Sequence, residues 1–370
     1  TGNVDNPGGM VIAKPSHGVT TYPFSSEELE SLYGGDFVKQ LNEKRIGCDK
    51  YPMVKGFRGW AQPDVAIEQI DTGKPYPIKA VWIQTANPLG GQAVRAKYHY
   101  EAMKKLDFVV VVDLFHNPTT MALADIILPA ATFAEKDSFR SWWTPLAVMH
   151  KVIQVGQCKS DWEINFEMAR RLNPKGLKYN NIKELMNSRL EVANTNFEEL
   201  VEKGSWEMAP KGDPSRPYRR HERGLLRADG KEGFNTETGK IELYSKAYEG
   251  WGMDPLPYFE EPLQSPTRAP ELYKKYPLIM ISGSRSHLFF HAEHRMIPWL
   301  REKNPEPYVE VHPETAKKYD VYDGQWIYLE NDMGKIKRKV RISLRVHPQM
   351  IGTQHGWWMP ELNGSEPDLF

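Results

Sequence analysis

Two stretches decide the fold, IKAVWIQTANPLGG at 78–91 and DFVVVVDLF at 107–115. Each contains a run of apolar, β-rich residues, which is typical of a strand that is buried on both faces. The segment between them, AVRAKYHYEAMKKL at 93–106, has helical spacing. A strand, a helix and a second strand in succession predict a parallel sheet with a right-handed crossover. A third run, ADIILPAATF at 124–133, continues this α/β pattern.

The sequence on either side of this core is less regular. Residues 1–75 are rich in Gly and Pro and contain one candidate helix, SSEELESLYGGDF, in which Ser25 and Glu28 have capping-box spacing. A second, amphipathic helix is predicted over 161–172, DWEINFEMARRL. Its core-facing side chains are predicted to be Trp162, Phe166, Ala169 and Leu172.

The charged stretch at 173–235 includes a basic run from Arg216 to Lys231. Such a run is usually a solvated surface segment, with phosphate contacts as the alternative. A proline-rich stretch at 254–277 then has the composition of a linker laid across a surface. Beyond it, short strand-like runs separated by turn signals predict a small β-barrel or sandwich. These runs are PLIMISG, PYVEVHP, WIYLEND, KIKRKVRISL and QMIGTQHGWW, with one helix in PETAKKYDV.

Composition excludes several classes of protein. The 48 basic and 48 acidic side chains of the 370 residues balance to a formal net charge of zero, so no overall basic field favours nucleic acid or anionic lipid. No apolar stretch approaches the roughly 18–20 residues of a membrane-spanning helix. With only Cys48 and Cys158, the chain can build neither a disulfide scaffold nor a thiolate-ligated metal cluster.

The ANPLGG loop follows the first predicted strand directly, at the edge where open parallel sheets bind ligands. Asn87 and Pro88 can form a tight turn, and Gly90 and Gly91 allow backbone amides to approach a ligand closely. An ordinary strand-to-helix turn explains the same residues, so both interpretations stay open. The loop contains neither G-x-G-x-x-G nor a Walker lysine.

Polar residues follow the second strand at the same edge of the sheet. Asp113 ends the VVVVD run, where a carboxylate can accept hydrogen bonds from a ribose hydroxyl or a guanine N–H edge. A turn or N-cap aspartate is the alternative. Thr119 and Thr120 open the next segment, where hydroxyls cap a helix or contact phosphate.

Two further clusters lie in the C-terminal part. His287, His291 and His294 are spaced by four and three residues, which would place them on one helical face, but the pattern lacks the H-E-x-x-H signature of zinc enzymes. We therefore assign no metal ligands, and expect a polar loop over a ligand cleft or a capped helix instead. In GWWMPE, Trp357 and Trp358 cannot both face one core from a strand, so one is expected to be exposed or to cover a ligand, with two-sided burial as the alternative.

Taken in order, these segments resemble the C-terminal half of the molybdopterin oxidoreductases of the DMSO reductase family. The matching segments are TGNVDNPGG at 1–9, KAVWIQTANPLGG at 79–91, VVVVDLFHNPTTMALADIILPAATFAEKDS at 109–138, SDWEINFEMARRL at 160–172, TETGKIELYS at 236–245 and VEVHPETAKKYDVYDGQWIYLENDMGKIKRKV at 309–340. Each segment alone is weak evidence for this family, whereas the whole set in this order is specific to it. The segments KPYPIKA, GKIELYS, DPLPYFEEPLQ and KKYPLI look most like the branch that contains acetylene hydratase.

This resemblance implies a fold and a cofactor. It implies an α/β parallel-sheet domain over 1–265, similar to domain 3 of DMSO reductase and formate dehydrogenase, and a double-psi β-barrel domain over 266–370 that is incomplete at its C-terminus. Both would bind molybdopterin guanine dinucleotide, which in the parent enzyme carries molybdenum or tungsten. The residues implied as cofactor contacts are Asn87, Pro88, Gly90, Asp113, Thr119 and Thr120 for the dinucleotide, and Gly283, Ser284, Arg285, His287, His291, Gly356 and Trp357 for the pterin.

Several parts of the family pattern are absent from this sequence. The N-terminal iron–sulfur cysteines and the segment that ligates the metal are missing, and the chain starts without Met. We therefore expect a cofactor-binding C-terminal fragment with no catalytic residue of its own, inactive and without bound metal when isolated. Its expected partners are the missing N-terminal half and, in addition, electron-transfer subunits.

Two alternatives remain open at this point. The parent enzyme could be a non-redox hydratase of the same family, because the deciding metal ligand lies outside this chain. The chain could also be a stand-alone binding or interaction module, since fold does not fix function. Substrate and compartment, cytoplasmic or periplasmic in a prokaryote, are left open.

Overall fold

The computed structural model describes most of the chain, namely residues 2–10, 19, 26–51, 53–54, 61–92, 95–141, 146–174, 176–203, 218–283 and 285–359. The chain divides into two compact units, each built from two separate stretches. Unit 1 comprises Thr1–Gln62 and Pro129–Pro257, and unit 2 comprises Pro63–Leu128 and Tyr258–Phe370. The domain division at residue 265 stays a prediction.

The helices found in these residues are short. They are α1 (Ser26–Tyr33), α2 (Gly35–Lys44), α3 (Pro63–Thr72), α4 (Ala96–Met103), α5 (Pro118–Leu123), α6 (Asp161–Leu172), α7 (Ile182–Leu190), α8 (Phe197–Lys203), α9 (Lys246–Gly250), α10 (Pro270–Lys275), α11 (Pro298–Lys303) and α12 (Pro313–Lys318). None of these helices has the length and apolar character that crossing a bilayer requires.

The strands form three sheets. They are β1 (Ala80–Gln84), β2 (Phe108–Asp113), β3 (Ile126–Pro129), β4 (Ser138–Arg140), β5 (Ala147–Met149), β6 (Ile279–Ile281), β7 (Tyr308–Val311), β8 (Trp326–Asn331), β9 (Gly334–Ile342) and β10 (Met350–Thr353).

The predicted parallel sheet is confirmed. Strands β1, β2 and β3 lie side by side in that order, and β1 pairs with β2 in parallel, with Ala80 opposite Phe108. The residues from Val109 to Val112 are all buried, which explains why their run is continuously apolar. One core cluster joins Ile83, Leu89, Tyr100, Met103, Val109 and Val111. This hydrophobic core therefore supports β1 and β2 and fixes the position of their carboxyl ends.

The helix α6 has the predicted bounds because its N-terminus is specified locally. The Ser160 hydroxyl accepts a hydrogen bond from the Glu163 amide, and the Glu163 side chain accepts one from the Ser160 amide. Phe166 is buried as predicted, but the prediction for Leu172 is wrong, since its side chain is 78% exposed. Leu172 lies in the last turn of α6, where the apolar face of the helix no longer contacts the hydrophobic core.

The five predicted strand runs of the C-terminal part are all present in one mixed sheet. Its order is β6-β10-β7-β9-β8, with parallel pairs β6–β10 and β7–β9 and antiparallel pairs β7–β10 and β8–β9. The core of this sheet is aliphatic, formed by Val309, Val311, Ala316, Val340 and Ile351. Closure into a double-psi barrel stays a prediction.

The basic run that was predicted to be solvated contains one clear exception. Arg220 is 2% exposed and forms a bidentate ion pair with Asp5, which is 1% exposed; the shortest N–O distance is 2.7 Å. The pair fixes the TGNVDNPGG segment to the start of a short 3₁₀ helix in unit 1. Arg216 lies outside the described residues, as does the predicted cap Ser25.

Candidate functional site

The loop after β1 is held together by its own polar groups. The Asn87 Oδ1 atom accepts hydrogen bonds from the Gly90 amide (3.1 Å) and the Thr119 hydroxyl (2.8 Å). The Thr119 Oγ1 atom in turn accepts one from the Leu89 amide (3.2 Å), and the Gly91 amide donates to the Asn87 carbonyl. Pro88 begins a single π-type turn that ends at Gln92. The amides expected to face a ligand are thus used within the loop.

A larger residue at position 90 would displace the Asn87 side chain from this arrangement. A Cβ atom there would lie 2.5 Å from the Asn87 side-chain nitrogen, closer than any normal contact. Thr119 and Thr120 are 0% and 2% exposed. Thr120 forms a reciprocal capping box with Asn117 at the start of α5. The geometry of Thr120 therefore matches the capping alternative, whereas the Thr119 hydroxyl bonds to Asn87, and direct contacts of both residues with a cofactor stay predictions.

Asp113 sits at the partly exposed end of β2 and organises the following turn. Its Oδ1 atom accepts hydrogen bonds from the Leu114 amide (2.7 Å) and the Phe115 amide (3.4 Å). Its Oδ2 atom accepts one from the Asn117 side chain (2.8 Å). This is the geometry of the turn-forming alternative, and recognition of guanine or ribose by Asp113 stays a prediction.

The second set of candidate residues lies in the segment after β6. Arg285, His287 and His291 are exposed, and a Cβ atom added at Gly283 would meet nothing within 4 Å. Ser284 lies outside the described residues. The prediction of a helical histidine face is wrong, because the backbone φ angles of His291 (50°) and His294 (72°) are left-handed. The segment is a chain of turns.

A histidine that was not singled out from the sequence completes this region. The His291 Nδ1 atom lies 2.8 Å from the Nε2 atom of His355, so one ring donates a hydrogen bond to the other. Burial lowers the pKa of His355, and the charges of His291, Arg285 and Arg295 lower it further. His355 precedes Gly356 in the QHGWW segment, and nothing in the local sequence pattern indicates the pairing.

Arg295 connects the two segments that carry this histidine pair. Its guanidinium group donates to the backbone carbonyl of His291 and to that of His355 (3.3 Å). The guanidinium carbon lies 4.8 Å from the ring centres of both Phe289 and Trp357. Arg295 is only 1% exposed. It therefore fixes the spacing between the two segments.

The two adjacent tryptophans are both buried, so the prediction that one of them is exposed is wrong, whereas the prediction that one of them covers a ligand stays a prediction. Trp357 is 8% and Trp358 4% exposed. The Trp358 Nε1 atom donates to the Ala292 carbonyl (2.7 Å). Gly356 (φ 64°) permits the close approach, since a Cβ atom there would lie 3.1 Å from the His291 carbonyl carbon.

The two sets of predicted residues meet within unit 2. A Cβ atom at Gly91 would lie 3.7 Å from the Ala292 side chain, so the ANPLGG loop lies beside the segment that bears His291. The residues that the structure describes contain no group of three or more His, Cys, Asp or Glu side chains arranged to hold a metal ion.

Two family models match the chain, and each covers one of the two regions described above. A family model for molybdopterin oxidoreductases matches residues 38–171, and the model of the molydopterin dinucleotide binding domain matches residues 278–367. The chain belongs to the molybdopterin oxidoreductases of the DMSO reductase family. The matched dinucleotide-binding domain indicates molybdopterin as the cofactor of this family member.

The similar proteins are about twice as long as this family member. Acetylene hydratase of Syntrophotalea acetylenica is 30% identical over 94% of the chain and 45% of its own length. Dopamine dehydroxylase of Eggerthella lenta is 29% identical over 98% of the chain and 42% of its own length. The structure of acetylene hydratase from Pelobacter acetylenicus superimposes with a TM-score of 0.79 at 25% identity, covering 95% of this chain and 49% of that one.

The donor groups of this region are of the kind that such a cofactor could use. Gly283 leaves open space, and Arg285, His287 and His291 present nitrogen atoms of the kind that can hydrogen-bond pterin heteroatoms. The Trp357 Nε1 atom is buried with no partner among the described residues. A ligand with several acceptor atoms would match this donor set.

Proposed function

We propose that this chain is the cofactor-binding half of a molybdenum or tungsten enzyme that holds bis-pterin guanine dinucleotide. The observation that supports this most directly is the proximity of the ANPLGG loop to the segment carrying His291, because each lies within a separately matched family region. Bound metal and pterin would supply the redox or Lewis-acid chemistry. The chain itself supplies no catalytic residue in this proposal.

In this proposal the loops after β1 and β2 and the segment after β6 have different roles in binding. Asp113 accepts hydrogen bonds from the guanine or ribose end of one dinucleotide, and Arg285, His287 and His291 donate to the pterin. Asn87, Thr119 and Thr120 position the loop from beneath, because their own hydrogen bonds are internal. Gly283 and Trp357 determine how much space the proposed site leaves for the pterin.

The partner in this proposal is the remaining part of a longer polypeptide. The relatives are about twice as long as the chain, so iron–sulfur and metal-ligand segments would come from an N-terminal part. Electron-transfer subunits would serve a redox parent enzyme. Without these parts, the isolated chain is expected to have no turnover and to retain no iron, molybdenum or tungsten after desalting.

A hydratase is the second candidate for the parent enzyme. Acetylene hydratase matches 94% of the chain in sequence and 95% of it in structure. The full-length protein should be assayed in parallel for two reactions. The first is hydration of acetylene, and the second is oxidation of an artificial electron donor as a candidate substrate is reduced. Hydration without any electron transfer would support the hydratase, and donor oxidation would support the oxidoreductase.

The cofactor assignment is tested by Asp113→Ala in the full-length protein. Loss of a charge-assisted acceptor should lower retention of guanine nucleotide by roughly ten- to a hundredfold. Asp107→Ala is the matched control, since Asp107 precedes the same strand and pairs with exposed Lys79 (3.1 Å). Bound nucleotide and melting temperature should be measured together. A lower melting temperature with unchanged nucleotide would assign Asp113 to the turn alone.

A further inference from the structure

Four apolar side chains on two neighbouring segments of unit 1 are exposed to solvent. Phe133 lies in the short 3₁₀ helix before β4, and Val152, Ile153 and Val155 lie in the segment after β5. Their exposed fractions are 76%, 78%, 51% and 63%. The two segments are adjacent, because the Val152 and Ile153 amides donate to the Ala134 carbonyl (3.0 and 3.2 Å). We call Phe133, Val152, Ile153 and Val155 the apolar patch.

The patch differs from the scattered apolar residues of an ordinary surface. Single exposed apolar side chains are common, whereas a group of them on adjacent segments marks an interaction surface. Every residue from 151 to 157 is exposed, and Lys151 carries the only charged side chain among them. The segment therefore presents an apolar surface of low charge to water.

A buried carboxylate fixes the segment that carries most of this patch. Glu135 is 8% exposed, and its Oε1 atom accepts hydrogen bonds from the Val155 amide (3.0 Å) and the Cys158 thiol (3.1 Å). Its Oε2 atom accepts bonds from the Thr132 amide (3.1 Å) and hydroxyl (2.8 Å). One side chain thus joins the residue before Phe133 to the segment after β5. Because the patch is held in place, little conformational entropy would be lost when a partner covers it.

The composition of the patch favours a permanent partner over a transient one. Interfaces that form and dissociate are about as polar as the rest of a protein surface, whereas permanent interfaces are more apolar. A subunit that binds and leaves during turnover is usually steered to its site by charged side chains. The patch itself contains no charged side chain, so its chemistry matches a partner that stays bound.

The relatives contain a permanent partner of this kind. The chain superimposes on 49% of the acetylene hydratase chain and matches 42% of the length of dopamine dehydroxylase. More than half of each of these polypeptides therefore lies outside the matched part. A part of the same polypeptide is held at a high effective concentration, which favours it over a second copy that has to associate from solution.

We propose that the apolar patch packs against the N-terminal part of the parent polypeptide, which covers it with apolar side chains. This inference rests on the proposed function, since the N-terminal part is the partner proposed there, and it adds the surface at which the two parts meet. The patch lies in unit 1, whereas the residues proposed to contact the cofactor lie in unit 2.

The first test is hydroxyl-radical footprinting of the full-length protein and of the isolated chain, resolved to single residues by mass spectrometry. The rate of oxidation of a side chain increases with its exposure to solvent. We expect Phe133, Val152 and Ile153 to be oxidised at least ~3-fold more slowly in the full-length protein, because an interface core excludes water. Val192, which is 58% exposed elsewhere in unit 1, is the reference and should react equally in both proteins.

Equal oxidation of the patch in the two proteins would overturn the proposal. Protection that appears only when the isolated chain is concentrated would assign the patch to a second copy, and protection that requires an added subunit would assign it to a transient partner; either result also overturns the proposal. Bound guanine nucleotide should be measured in the same preparation. A protected patch without nucleotide would contradict the proposed cofactor and support this inference, whereas nucleotide with an unprotected patch would contradict this inference alone.

The second test compares Val152→Lys with its matched control, Val192→Lys. A lysine at a solvent-exposed position changes stability little, whereas a lysine at a covered apolar position is a buried charge without a partner. Val152→Lys should lower the melting temperature of the full-length protein by at least ~2 °C and change that of the isolated chain by less than ~1 °C. Val192→Lys should change neither. The same shift for Val152→Lys in both proteins, including no shift, would overturn the proposal.

Discussion

Arg220 and Arg295 are both almost completely buried, yet their surroundings differ in kind. In unit 1, the Arg220 guanidinium is matched by both carboxylate oxygens of Asp5, the closest at 2.7 Å. In unit 2, Arg295 meets backbone carbonyls and aromatic rings. The first region satisfies its buried charge with the chain's own residues. The second leaves a donor unmatched, as expected where a ligand completes the structure.

The ion pair of unit 1 gives the largest expected effect. Asp5→Ala removes the carboxylate that pairs with the buried Arg220 guanidinium, which should lower the free energy of unfolding by about 3–5 kcal/mol. The measurement is urea unfolding followed by circular dichroism. Asp229→Ala is the control, because the Arg227–Asp229 pair (2.6 Å) is more exposed, so its loss should lower the free energy of unfolding much less. Equal losses in the two variants would contradict the role given to burial.

Arg295→Met should have a smaller effect than Asp5→Ala, which sharpens the comparison. The variant loses hydrogen bonds to the His291 and His355 carbonyls, but it also removes a charge that has no anion beside it. These opposing terms should leave a loss of about 2 kcal/mol in the free energy of unfolding. Urea unfolding monitored by tryptophan fluorescence measures it, with exposed Arg345→Met as the control. A loss as large as that of Asp5→Ala would show that Arg295 is already fully compensated.

Within unit 2, the loop after β2 behaves like the Arg220 region, since its polar groups are satisfied internally. Asn117→Ala removes the cap of α5 and the bond to Asp113, and should cost about 1 kcal/mol. Asn181→Ala is the matched control, because Asn181 caps α7 in the same way but is exposed. Thermal unfolding of both variants gives the comparison. A larger loss for the exposed cap would contradict the interpretation.

The elements that were predicted correctly are those fixed by neighbouring residues. The strand β2 is buried on both faces and so reads as an unbroken apolar run, and α6 starts where Ser160 and Glu163 form a capping box. Local pattern was enough in both places because the partners lie within a few residues or share one face.

The candidate site was harder to predict because its contacts join distant parts of the chain. His355 and Arg295 act through positions about 60 residues away, and no periodicity reports such pairs. The histidine spacing suggested a helix, but left-handed φ angles at His291 and His294 turn the backbone instead. In the basic run, Arg220 looked like its solvated neighbours until its contact with Asp5, far away in sequence, was seen.

The smallest expected effect concerns a buried anion that the chain compensates by itself. The Glu135 carboxylate is 8% exposed and accepts hydrogen bonds from the Thr132 amide and hydroxyl, the Val155 amide and the Cys158 thiol. The bond from Cys158, followed by those from Thr132, lowers the pKa of Glu135 from 4.5 to about 2. Because the folded-state pKa is the lower one, this group stabilises the protein above pH ~4.5 and the contribution is lost as the pH falls toward 2.

Glu135→Gln should therefore flatten the acid side of the stability profile. Melting temperatures measured from pH 7 to pH 2 should fall less steeply for the variant than for the wild type between about pH 5 and pH 2. At pH 7 the variant should be the less stable protein, since its amide replaces an acceptor-only carboxylate. Exposed Glu199→Gln is the control and should follow the wild-type curve. Parallel curves for the wild type and Glu135→Gln would mean that the four hydrogen bonds do not favour the charged form of Glu135. Glu135 would then not be a buried charge that the chain compensates by itself.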